Sequence, residues 1–90
     1  VNFLIIDVET HSASFLILRL RKLKSTVEVL DGGMYHQDKS YSQVHVASEK
    51  TEDEMDNWLY SINGVDYVGV VESTAMALGM DYLVEEEDCR

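Results

Sequence analysis

Ninety residues, 46% of them hydrophobic, suffice for one domain with a genuine core, although a chain this short buries only about 60 to 65% of the surface it exposes when unfolded. Seventeen acids against seven bases give a net charge of −10, and four of the seven bases fall between Arg19 and Lys24. That balance argues against nucleic acid and anionic membrane as partners, because binding to either draws its free energy from spread cations set against phosphates.

Cys89 is the only cysteine, which excludes an intrachain disulfide and the two-thiolate metal motifs and suits a reducing, cytoplasmic setting. No run approaches the roughly 18 apolar residues of a bilayer span. The opening residues carry no basic stretch of the kind a secretory leader needs, so none is expected.

Phe3 to Val8 is a short apolar run rich in β-branched residues and reads as a central strand, bounded by the polar loop Glu9-Thr10-His11-Ser12. With Ser12 as N-cap, Ala13, Leu16, Ile17, Leu20 and Leu23 fall at helical offsets, and Lys22 and Lys24 suit the C-terminal end of the dipole. Thr26 to Leu30 alternates as a second strand. Asp31-Gly32-Gly33 then signals a bulge or bend, after which Met34-Tyr35-His36 resumes the strand before a turn over Gln37 to Ser40. Tyr41 to Ala47 alternates again and makes the hairpin partner.

Thr51-Glu52-Asp53-Glu54 has the form of a capping box, with Met55, Trp58, Leu59 and Ile62 as the buried stripe of the helix it opens. Asn63-Gly64 closes that helix, with Gly64 in the left-handed C′ position, and Val65 to Glu72 is the fourth strand. The order β-α-β-β-α-β predicts a ferredoxin-like α+β domain over residues 1–72: a four-stranded antiparallel sheet with two helices on one face. Residues 73–90 are a C-terminal extension. Ala75 to Leu78 suits a helical turn stopped by Gly79, Tyr82 to Val84 suits an edge strand, and Glu85 to Asp88 suits a solvated acidic end.

Strict alternation turns Leu4, Ile6, Val8, Val27, Val29, Val44, Val46, Val68 and Val70 toward the helices. The opposite face then shows Phe3, Ile5, Tyr41, Tyr67 and Val71, with Gln43, His45 and Gly69 between them. An apolar patch of this kind marks an interaction surface, so a homodimer or higher homo-oligomer is expected, or cover by the C-terminal extension. The basic stretch of the first helix and the acids of the second (Glu52, Asp53, Glu54, Asp56) are expected to complement each other across the helix pair.

Chemistry-bearing motifs are sparse. His11, His36 and His45 form no metal-ligand spacing, Gly32-Gly33 forms no phosphate loop, and neither a cofactor nor a metal is indicated. Asp7, Glu9 and His11 can gather near the first loop as acid, base and orienter, but no spacing demands it.

Residues 41–72 (YSQVHVASEKTEDEMDNWLYSINGVDYVGVVE) resemble the second half of an ACT-type regulatory domain, in which a strand, an acidic amphipathic helix, an x-Gly-Val break and a last strand recur. The resemblance implies a small ligand, typically an amino acid, at the loop after the first strand; here that loop is Glu9, Thr10, His11 and Ser12. The sequence therefore points to a non-catalytic regulatory or interaction module that self-associates through the open sheet face. Its alternative is a small dimeric α+β-barrel enzyme with a pocket between sheet and helices.

Overall fold

The computed structural model describes residues 1–34 and 40–84. The turn expected over Gln37 to Ser40, His36, the acidic end Glu85 to Asp88 and Cys89 lie wholly or largely outside the described residues.

The elements run β1 (Asn2–Glu9), α1 (Thr10–Arg21), β2 (Thr26–Met34), β3 (Tyr41–Ser48), α2 (Glu52–Ser61) and β4 (Tyr67–Glu72), followed by a single 3-10 turn at Asp81–Leu83. The strands form one antiparallel sheet in the order β2-β3-β1-β4, the ferredoxin-like arrangement expected from the sequence. β1 is central and hydrogen-bonds to β3 and β4, which explains its continuous apolar run. Among the described residues no helix is long and apolar enough to cross a membrane.

Two cores flank the sheet. On the helix side Leu4, Ile6, Val8, Val29, Val44 and Val46 meet Leu16 and Leu20 of α1 and Met55 and Leu59 of α2, all buried. The stripes expected on both helices are the ones observed. α2 opens with the capping box: Glu54 N–H donates to Thr51 Oγ1 at 3.2 Å, and Thr51 N–H donates to Glu54 Oε1 at 2.9 Å. Gly64 takes a positive φ of 92°, but it lies two residues beyond the C-cap Ile62 rather than one.

The second core lies on the other face. Ala47, Leu78 and Met80 are buried there against Phe3, Ile5, Leu30 and Leu83. Residues 73–84 thus form a strap across the sheet, leaving β4 where Ser73 N–H donates to Phe3 O at 2.7 Å and reaching β2 where Tyr82 Oη donates to Glu28 Oε2 at 3.0 Å. The turn at 74–79 ends at Gly79, with φ 72°, as expected. Tyr82 to Val84 do not add a strand. The strap crosses the face instead of running along an edge, so Asp81–Leu83 coils and turns Leu83 into the apolar cluster.

Three register shifts redraw the faces that strict alternation assigns. Thr26 pairs with Ser48 and Glu28 with Ala47, so Val27 is the extra residue of a bulge and stands exposed rather than buried. Asp31 pairs with Val44 and Gly33 with Gln43, which leaves Gly32 as the extra residue, in the region where a bulge is expected. Val8 pairs with Tyr67 and Asp7 with Gly69, which leaves Val68 over. That last bulge moves Tyr67 to the helix side, where it packs on the main core and its hydroxyl donates to Asp56 Oδ1 on α2 at 2.9 Å. It also exposes Val68, expected inside. The placement of Tyr67 on the open face is corrected accordingly.

Candidate functional site

β1 runs into α1 with no loop between them. Glu9 ends the strand and is the N-cap residue, and Thr10, His11 and Ser12 form the first turn of the helix. Ser12 is therefore not the cap. It sits in the first turn, buried, and its Oγ accepts from Asp66 N–H at 3.0 Å.

The start of the helix is tied to other parts of the chain, and one of its orphan donors, Thr10 N–H, finds an acceptor there. Thr10 N–H donates to Ser40 O at 2.9 Å, Ser42 Oγ donates to Thr10 Oγ1 at 3.1 Å, and Glu9 N–H donates to Asp66 O at 2.8 Å. The backbone of Asp66 is thus held from both sides, by Glu9 and by Ser12. Its carboxylate is carried to His11, whose Nε2 lies 3.1 Å from Asp66 Oδ2 and 3.2 Å from Glu9 Oε1.

The structure therefore brings together Glu9, His11 and a residue that the sequence reading had not joined to them, Asp66. The available signal was topological: β4 runs antiparallel to β1, so the residue preceding β4 stands beside the residue that ends β1. Asp7, the remaining member of the expected trio, pairs with Gln43 and Gly69 further along the strand.

One imidazole nitrogen and two carboxylate oxygens lie within 4.8 Å of one another. Both contacts use the same nitrogen, Nε2, and all three side chains are about half exposed or more. The cluster is satisfied as a solvated hydrogen-bonded triad that fastens the start of α1 to the residue before β4. Such exposed pairs contribute about 0 to 1 kcal/mol each.

Of the five residues expected at an interface, Phe3 and Ile5 lie under the strap, Tyr67 faces α2, Tyr41 is half-buried, and Val71 is open at 52% exposure. Val68, the extra residue of the bulge in the same strand, is 62% exposed. His45 is half-buried on the strap side, 3.0 Å from Gln43 Oε1 through Nε2. Burial lowers its pKa from 6.5, with the negative charge of Asp31 working the other way.

Between sheet and helices the space is filled by side chains with little or no exposure. A groove of about 390 Å³ lies outside that core, between α1 and β2. Among the described residues no ion pair joins α1 to α2, since the pairs present are those of His11.

No protein-family model, no curated protein and no solved structure matches this chain.

Proposed function

We propose that the chain is a non-catalytic interaction module that pairs with a second copy of itself along β4. The observation that carries this reading is the state of that strand. β4 is an edge of the sheet, bonded to β1 alone, and its sequence Tyr-Val-Gly-Val-Val-Glu contains neither lysine, arginine nor proline, the usual guards of an open edge. Val68 and Val71 of this strand are exposed to solvent, while the strap already closes the central part of the open sheet face.

The strand is also self-complementary. In an antiparallel pairing about a two-fold axis at Val70, Val70 meets the partner's Val70, Val71 meets the partner's Gly69, and Glu72 falls opposite the partner's Val68 rather than a second glutamate. Such a register keeps like charges apart in a chain of net charge −10. The ACT-like order of elements fits a regulatory module of this kind, with the first turn of α1 as its ligand position. The single cysteine and the acidic balance fit a cytoplasmic setting.

Sedimentation velocity tests the reading. Wild type is expected to sediment as a dimer at micromolar concentration, and Val71→Lys as a monomer with an unchanged circular dichroism spectrum. A wild type that stays monomeric to high micromolar concentration sinks the proposal. So does a Val71→Lys variant that dimerises as wild type does.

A further inference from the structure

The groove between α1 and β2 lies at the opposite edge of the sheet from β4 and is independent of the pairing proposed above. It is lined by Ser14, Ile17, Leu18 and Arg21 of α1 and by Asp31 of β2. The four helical residues follow the i, i+3, i+4, i+7 pattern, so they form one stripe along α1. The stripe flanks the buried one of Ala13, Leu16 and Leu20 and is polar at both ends with two aliphatic side chains between.

Asp31 is the unusual member. It pairs with Val44, whose side chain is fully buried on the helix side, so the register turns Asp31 to that side as well. A carboxylate thus occupies the place after Val29 where the pattern of the strand calls for another apolar side chain. Its Oδ1 accepts from Gly33 N–H at 2.9 Å, and no cation pairs with it among the described residues. Arg21 is exposed on the facing helix and likewise has no hydrogen-bond or ion-pair partner for its side chain among the described residues. Two opposite charges thus line one groove, more than ion-pair distance apart, together with the aliphatic side chains of Ile17 and Leu18.

From this arrangement we infer that the groove binds a small organic zwitterion whose carboxylate and ammonium are separated by an apolar spacer. The carboxylate pairs with the Arg21 guanidinium, the ammonium with Asp31, and the spacer lies on Ile17 and Leu18. The guanidinium offers a planar donor fork to a carboxylate, and the volume falls within the range of small-molecule sites. The lack of an ion-pair partner for either residue among the described residues favours this ligand over a singly charged one, which would leave one of the two charges without a counter-charge.

The experiment is an amide chemical-shift titration with 6-aminohexanoate, with hexanoate and hexylamine as single-charge controls. Saturable shifts centred on Ser14, Leu18, Arg21 and Asp31 are expected at millimolar concentration, and both controls should bind about 10-fold more weakly. Arg21→Gln and Asp31→Asn should each weaken the zwitterion by about 10-fold while leaving the spectrum elsewhere in place. Repeating the titration on Val71→Lys separates the site from β4, because binding should be the same there. The inference fails if 6-aminohexanoate moves none of these amides, if the controls bind as well as it does, or if neither variant weakens it.

Discussion

The ring of His45 occupies the space that a β-carbon on Gly32 would need: such an atom would meet Nε2 and would stand 2.7 Å from Cε1 and 2.8 Å from Cδ2. Gly32 is the extra residue of the β2 bulge, and the imidazole of the adjoining strand folds across it to reach Gln43. The absence of a side chain at Gly32 and the ring at His45 are one packing unit.

Gly32→Ala is accordingly expected to cost about 1 to 3 kcal/mol, through displacement of the ring and loss of its contact with Gln43. In a His45→Ala background the same substitution should cost much less. Urea unfolding of the two single variants and the double variant gives the coupling directly, and additive costs would refute the linkage.

The same histidine makes stability depend on pH. Its folded pKa is lowered, by burial first, so the unfolded chain binds the proton more readily. Stability therefore falls as pH drops through the unfolded value of 6.5, and above that value the histidine contributes no slope. Urea midpoints measured from about pH 8 down to pH 5 should fall for wild type, with a shallower fall for His45→Gln.

Met80 anchors the strap and is fully buried, whereas Met76, four residues earlier, is 80% exposed. Met80→Ala should cost about 2 to 5 kcal/mol and Met76→Ala less than about 0.5 kcal/mol. Equal thermal shifts for the two variants would mean that the strap does not pack as described.

Thr26 Oγ1 is buried without a hydrogen-bond partner among the described residues. Thr26→Val removes that hydroxyl while keeping the branched shape, and a gain of about 1 kcal/mol is expected in chemical unfolding. A loss of stability would show that the hydroxyl is satisfied in solution.

Thr51→Ala removes one half of the capping box and leaves Glu54 N–H without its acceptor. A loss of about 1 kcal/mol is expected, with a lower thermal midpoint as the readout.

Local signals in the sequence located the elements well. The capping box, both helical stripes and the apolar run of β1 depend on residues within a few positions of each other, and each stands where it was expected. Alternation also assigned the faces of β1 and β3 correctly, because their mutual pairing runs without a shift from Asn2 with Ser48 to Glu9 with Tyr41. It failed for Val27, Tyr67 and Val68. A bulge reverses parity, and its position is decided by which partner residues can pair across the sheet, not by the composition of the strand. The link from Ser12 and His11 to Asp66 joins residues more than fifty apart and was likewise beyond local reading. Cover of the open face by the C-terminal segment is among the expectations the sequence supports, but its form as a coiled strap is not.

The central position of β1 also bears on how the chain is made. β1 leaves the ribosome before the strands on either side of it, which begin at residues 41 and 67, so each of its edges waits for dozens of further residues. Until then a β-branched apolar strand lacks both of the strands it pairs with in the finished sheet, and its edges are open to other nascent chains. The helix α1 follows β1 directly and packs against it, so it can shield one face of the strand during that interval. Substitutions that weaken α1 should therefore lower soluble yield during synthesis by more than they lower the stability of the finished domain.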